Sequence, residues 1–122
     1  MKTYTYPALF IPEENMAYTV RFPDWEPIIT GGTCGRSLSE ARWMAEDLLG
    51  LMCDGAEDSE WKMAKPSSLS DIRLANPETH IELITIDLDK YRAICKRGRY
   101  RHEMIYRAWT RKIRKERELL GK

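Results

Sequence analysis

The stretch SLSEARWMAEDLLGLMC, residues 37–53, predicts the main helix of the protein. It opens with a capping box, in which the side chains of Ser37 and Glu40 each satisfy a free backbone N–H of the first turn. Apolar residues then recur at helical spacing, at Leu38, Ala41, Ala45, Leu48, Leu49 and Met52. The Asp54-Gly55 pair follows as a stop signal. We therefore expect a helix from Leu38 to about Cys53, with one apolar side that needs a surface to cover.

Three short strands are predicted before this helix. Residues 4–11 (YTYPALFI) and 17–22 (AYTVRF) are rich in aromatic and branched side chains, and the turn-like PEEN of residues 12–15 separates them. The prolines of Pro23–Pro27 (PDWEP) end the second strand because proline cannot donate to a sheet ladder, and Ile28–Thr30 can form a third strand. Such a meander gives the helix a surface on which to pack.

A fourth strand and a short helix are expected after the main helix. Residues 57–76 are polar and rich in breaks, so they predict an excursion with at most one short turn near residues 68–74. The alternating residues 81–88 (IELITIDL) predict a largely buried strand, and Asp87 can cap a short helix that ends near Cys95. The fold class is therefore α+β, with a small antiparallel or mixed sheet of three to four strands packed by one main helix.

The charge of the chain is distributed unevenly along its 122 residues. The net charge is +1, but residues 1–95 contain 9 Lys/Arg against 16 Asp/Glu, a net charge of −7, whereas residues 96–122 contain 11 against 3, a net charge of +8. An acidic body attracts basic proteins, and a basic segment attracts nucleic acid. We therefore predict a binding domain at residues 1–95 and a basic amphipathic helical tail at residues 96–122, with ordinary solvated surfaces as the alternative.

The tail predicts a helix with two different sides. Its apolar residues are Met104, Ile105, Ala108, Trp109 and Ile113. Its candidate nucleic-acid-binding residues, which can neutralise phosphates, are Lys96, Arg97, Arg99, Arg101, Arg107, Arg111, Lys112, Arg114 and Lys115. A second interpretation, compatible with the first, docks the apolar side on another subunit. The tail has room for one helix only, which is too little for a ribbon-helix-helix or helix-turn-helix module.

Metal, cofactor and membrane functions find no support in the residue pattern. The three cysteines are odd in number and widely spaced, which indicates reduced thiols. The two histidines belong to no CxxC or HxxxH pattern, so we expect neither a metal site nor a cofactor. The chain has no apolar run of about 18 residues and no secretory h-region, which predicts a soluble cytoplasmic protein without a membrane partner.

An enzymatic function is the least favoured alternative. Clustered carboxylates that hold two divalent cations could make a nuclease, and the candidates for that role are Asp24, Glu46, Asp47, Asp87 and Asp89. Against it, Glu46 and Asp47 are adjacent on a helix and point in different directions. No Gly-x-Ser-x-Gly motif occurs, and neither histidine has an evident nucleophile partner. We therefore expect that the protein is not an enzyme.

Five short strings, taken together and in this order, resemble the HicB antitoxin pattern over about three quarters of the chain. Each string is weak by itself, but all five lie between matching predicted elements. They are Tyr6-Pro7-Ala8, Phe22-Pro23-Asp24, Thr30-Gly31-Gly32-Thr33 with Glu40-Ala41 in the helix, Lys65-Pro66-Ser67-Ser68, and Ile86-Asp87-Leu88-Asp89-Lys90-Tyr91.

The resemblance implies a degenerate ribonuclease-H-like fold that has lost the metal-binding carboxylates of its parent nuclease. It also implies a HicB-like toxin-binding domain at residues 1–95, whose partner is HicA, a small basic RNA-cleaving toxin. We expect a homo-oligomer, a dimer or higher, with operator DNA as a further partner. The alternative is a transcriptional repressor or nucleic-acid-binding protein that acts through the basic tail. The candidate toxin-binding residues are Tyr18, Phe22, Asp24, Trp25 and Glu26.

The proline-rich loop departs from the family pattern. Typical members have a glycine after the second proline, whereas this chain has Pro27 and Ile28. Trp25 in this loop has two interpretations, since a tryptophan buries a large area either way. It is a partly exposed anchor for the partner, or it folds back as a lid on the sheet.

Overall fold

The structure is a computed structural model that describes residues 2–29 and 32–97, with the backbone alone for residues 95–97. The helices and strands follow one another as β1 (Thr3–Pro12), β2 (Tyr18–Arg21), β3 (Gly32–Gly35), α1 (Leu38–Glu57), α2 (Leu69–Ala75), β4 (His80–Asp87) and α3 (Leu88–Arg97). A single 3₁₀ turn, Glu14–Met16, joins β1 to β2. The predicted α+β class is confirmed.

The four strands form one antiparallel sheet in the order β3-β2-β1-β4. Strand β1 is central because it is long enough to pair with β4 over Thr3–Phe10 and with β2 over Leu9–Pro12. Its even-numbered side chains face α1, since successive residues of a strand point to opposite faces. In the described part of the chain, β3 and β4 are the edges of the sheet.

The core lies between this face of the sheet and α1. On the sheet, Tyr6, Ala8 and Phe10 are at most 1% exposed. On the helix, Ala41, Ala45 and Leu49 are fully buried, as the helical spacing of the apolar residues predicted. Because two of these helical residues are alanines, the helix axis can lie close to the sheet, and the aromatic rings of β1 fill the remaining space.

The third strand is Gly32–Gly35, so the prediction of a strand at Ile28–Thr30 is wrong. Ile28 and Ile29 instead belong to a turn, in which both backbone N–H groups donate to the Trp25 carbonyl, at 2.9 and 2.8 Å. A Cβ atom at Gly35 would overlap the backbone of Ala41 in α1. The strand can therefore approach the helix only with glycine at this position, although glycine usually indicates a break in a strand.

Helix α1 continues four residues beyond the predicted end at Cys53, to Glu57. Gly55, which the sequence suggested as a stop, is buried inside the helix under the ring of Trp61. The Trp61 indole Nε1–H donates to the Met52 carbonyl at 2.9 Å. A tertiary contact thus stabilises the last turn against the local preference of glycine for a helix end.

The fourth strand and the helix after it lie where they were predicted, whereas the segment expected to hold at most one short turn near residues 68–74 contains a helix of seven residues, α2. Ser68 caps α2, and the Asp87 carboxylate accepts from the Lys90 N–H at 3.2 Å, at the start of α3. Strand β4 is buried on one side only, because Ile84 is 5% exposed whereas Leu83 is 51% exposed. It was predicted to be largely buried.

Candidate partner-binding surface

The five predicted toxin-binding residues lie on β2 and on the loop that follows it, and two of them belong to the core. Phe22 and Trp25 are each 1% exposed, so the partial exposure predicted for Trp25 is wrong. The Trp25 N–H donates to the Phe22 carbonyl at 3.0 Å, and this turn folds the indole back onto the sheet. There it lies against Tyr6, with 5.3 Å between the ring centroids. The alternative, in which Trp25 is a lid, describes the structure.

Asp24 fastens the same loop to a distant segment of the chain. Its carboxylate accepts from the Ser67 backbone N–H at 2.8 Å and from the Ser67 hydroxyl at 2.6 Å. Beside this clamp, the Tyr6 hydroxyl donates to the Ala64 carbonyl at 2.5 Å. Two strings of the sequence resemblance, Phe22-Pro23-Asp24 and Lys65-Pro66-Ser67-Ser68, are therefore in contact. The contact between these two strings closes the loop over the core.

Tyr18, Asp24 and Glu26 are the members of the predicted set that reach the surface in part. Glu26 accepts two hydrogen bonds from Arg21, at 2.7 and 2.9 Å, in the fork geometry that arginine and carboxylate prefer. The side chains of this pair are 50% and 33% exposed, so solvent screens the pair and it adds little stability. These three residues present mainly polar groups to a partner.

Sequence reasoning missed an apolar surface around α2 and β4. Leu83 projects from the edge strand β4, and Leu74 on α2 is 82% exposed. The two elements are in contact, and a shallow groove beside them is lined by Leu69, Ser70, Arg73, Leu74 and Pro77. The alternating residues of β4 do predict that the strand has two faces. Which of these faces packs against α1 depends on the pairing of β4 with β1, so the exposure of Leu83 could not be predicted. Edge strands are also the sites at which another chain can add a strand.

A polar cluster joins the end of α1 to the start of α3. Glu57 accepts hydrogen bonds from the Tyr4 hydroxyl and from Lys2, the latter at 3.2 Å, and it pairs with Arg92 at 3.2 Å. Arg92 also donates to Asp54 at 2.6 Å. The hydrogen bond to Glu57 raises the pKa of Tyr4 to about 12, and the same bond lowers the pKa of Glu57. The cluster holds α3, and with it the beginning of the basic tail, against the body.

This cluster predicts how stability depends on alkaline pH. A hydroxyl whose pKa is higher in the folded chain than in the unfolded chain stabilises the fold below about pH 10, and that stability is lost as the pH rises toward 12. We expect the melting temperature of the wild type to fall more between pH 9 and pH 12 than that of Tyr4→Phe. Thermal unfolding at several pH values measures this. Burial also raises the pKa values of Tyr6 and Cys53 to about 12, and these two groups titrate in both proteins. An equal fall of the melting temperature in the wild type and in Tyr4→Phe would therefore assign the effect to those groups and contradict the prediction.

The carboxylates that a metal-dependent nuclease would need do not form a cluster. Asp24 is bonded to Ser67 and Asp87 caps α3. Among residues 2–29 and 32–97, no three His, Cys, Asp or Glu side chains are close enough together to hold a metal ion. Cys34 and Cys53 are free thiols, as expected. No helix in the same ranges is both long and apolar enough to cross a membrane.

The predicted nucleic-acid-binding residues lie almost entirely outside the described part of the chain. Lys96 and Arg97 are placed by their backbone at the end of α3. The other seven, from Arg99 to Lys115, are outside the described residues, and so is the predicted tail helix.

Comparison with known proteins finds solved structures of similar fold and no similar sequence. No protein-family model matches the chain. No curated protein sequence matches it either. A chain of a toxin–antitoxin complex from Streptococcus pneumoniae is similar over 94% of this chain and 99% of its own, with a TM-score of 0.60 and 22% identity.

Two structures of the antitoxin HicB from Burkholderia pseudomallei are also similar, each with a TM-score of 0.56 and 15% identity. The first is its N-terminal domain, which matches over 100% of its length and 70% of this chain. The second is the antitoxin itself, which matches over 62% of its length and 69% of this chain. These similarities confirm the HicB-like fold that the resemblance implied.

Proposed function

We propose that this protein is an antitoxin that binds and neutralises a small basic RNA-cleaving toxin of the HicA type. The observation that supports the proposal is the fold, which a chain of a toxin–antitoxin complex shares along nearly the whole length of both chains. In this role the protein needs no chemistry of its own, because covering the active surface of a toxin is sufficient. Assembly into a homo-oligomer and location in the cytoplasm stay predictions.

The charge of the body supports a basic partner. Residues 1–95 carry a net charge of −7, and a basic toxin would be attracted to such a surface over several ångströms. Complementary charge speeds association and disfavours wrong partners more than it adds affinity. On the loop after β2, Asp24 and Glu26 are held in place by Ser67 and Arg21. Little ordering cost therefore remains for the partner to overcome.

Co-expression with the neighbouring reading frame, which this function predicts to encode a small basic toxin, tests the proposal. We expect the antitoxin to relieve the growth arrest that the toxin causes and to co-purify with it. Raising the salt concentration should slow association of the purified proteins, because the attraction between exposed charges is screened. Glu26→Gln should slow association more than Glu78→Gln, a matched loss of one exposed charge elsewhere. Persistent growth arrest with no complex would refute the proposal.

A second candidate function is nucleic-acid binding, which the composition of the tail favours. Residues 96–122 contain 11 Lys/Arg and only 3 Asp/Glu. Such a segment can neutralise several phosphates at once, which supports duplex affinity without base recognition. The two functions are compatible in one protein, since the acidic and basic parts are separate in the chain.

A further inference from the structure

One side of α1 carries a stripe of residues that α3 crosses. The stripe consists of positions spaced three and four apart, which lie on one face of a helix, namely Trp43, Asp47, Gly50, Asp54 and Glu57. Helix α3 crosses it at Gly50, where a Cβ atom would lie 2.5 Å from the Tyr91 ring. Arg92 then pairs with Asp54 and Glu57 at 2.6 and 3.2 Å. A basic residue of the C-terminal part of the chain thus already binds this acidic face.

The same side of α1 continues beyond the crossing point with acidic and apolar groups. Glu46 is exposed beside Asp47, and Trp43, one turn further toward the helix start, is 38% exposed. Between Arg42 and Lys62 the chain contains six Asp/Glu and no Lys or Arg. The half of the stripe from Trp43 to Asp47 therefore lies next to the contact between α1 and α3. Its charge is negative, opposite to the positive charge of the tail.

We propose that residues 98–122 dock back onto α1 of the same chain, over the surface around Trp43, Glu46 and Asp47. The described chain ends in α3, which crosses this side of α1 at Gly50, and about 10 Å of helix separates Gly50 from Trp43. The segment has 25 residues, enough to cover that distance. Its apolar side can cover Trp43 while Arg107 and Arg111 face the two carboxylates. Covalent linkage makes the contact intramolecular, with a high effective concentration.

Docking of this kind places opposite charges of one molecule in contact and so neutralises part of the acidic face of α1. It depends on the geometry of α1 and α3 and on the sequence of the tail, and it does not depend on the antitoxin function. A protein without any toxin partner would show it equally.

Limited proteolysis of the full-length protein tests the proposal. Trypsin should cut after Arg107 and Arg111 about ten-fold faster in Glu46→Gln/Asp47→Asn than in the wild type, because two of the attractions that hold the segment are lost. The matched control, Glu14→Gln/Glu78→Gln, removes the same charge from exposed sites elsewhere and should be cut at the wild-type rate. Equal cutting rates in all three proteins would overturn the proposal.

Two further measurements keep the test decisive if the first variant unfolds. Added salt should speed cutting of the wild-type tail, relative to a free peptide substrate in the same tube, because it screens the attraction. Tail cutting that is insensitive to salt would contradict docking. The cutting rate per molecule should also stay constant on about hundred-fold dilution, since the contact lies within one chain. Faster cutting on dilution would assign the contact to a second copy and overturn the proposal as stated.

Discussion

Trp25→Ala is expected to lower the free energy of unfolding by about 3–5 kcal/mol, the usual cost of truncating a buried tryptophan. The ring is 1% exposed and lies against Tyr6, so its removal leaves a cavity under the proline-rich loop. The two Asp24–Ser67 hydrogen bonds hold the loop next to Trp25 and limit its collapse into that cavity. The loss therefore falls on the stability of the body and not on a contact with the toxin.

Urea unfolding of the wild type and three variants measures this effect. Leu74→Ala is the control, because that side chain is 82% exposed and its truncation opens no cavity in the core. Trp25→Phe should lose much less than Trp25→Ala, since the indole Nε1–H of Trp25 has no hydrogen-bond partner among the described residues. Unchanged stability of Trp25→Ala together with weaker toxin binding would show that Trp25 is an interface anchor after all.

Replacing Arg107, Arg111 and Arg114 by alanine is expected to weaken binding to duplex DNA by about a hundred-fold at physiological salt. Each phosphate contact contributes about 0.9 to the slope of log affinity against log salt, so the slope should fall by about 3. The physical reason is that a single basic helix can neutralise phosphates but lacks the paired elements that aim side chains at base edges. Toxin neutralisation should remain intact, because the acidic body carries it.

Salt titrations with the wild type, the tail variant and a matched control give the measurement. The control replaces three exposed cations of the body, Arg36, Lys65 and Arg73, by alanine and so removes the same charge. It should bind DNA nearly as the wild type does. Tight, sequence-selective promoter binding that added salt hardly weakens would show that base contacts dominate, and that a DNA-reading module assembles from the tail.

The elements that depend on local chemistry could be predicted. The capping box at Ser37 and the apolar spacing after it correctly predicted the start and the buried side of α1. The aromatic and branched side chains of residues 4–11 correctly predicted strand β1, and Asp87 was correctly predicted as the cap of α3. In each case the determining groups lie within a few residues of one another. The unpaired backbone groups and the apolar period are therefore visible in the sequence.

The errors share one physical cause, which is contact with a residue outside the element that the local pattern describes. Glycines at positions 32 and 35 suggested a break but form β3, because the strand must approach Val20 and the backbone of α1. Gly55 suggested a helix end but lies under Trp61. The exposure of Leu83 depends on which face of β4 the helix covers, and pairing with β1 decides that.

The sequence by itself determined the fold class, the main helix, the separation of acidic body from basic tail, and the five strings of the antitoxin resemblance. Only the tertiary structure decided what the proline-rich loop after β2 does. Trp25 faces inward because Tyr6 offers a ring to pack on and because Ser67, 43 residues away from Asp24, ties the loop down. The burial of a side chain depends on its contacts with segments that are distant in the sequence, so a local sequence pattern cannot predict it.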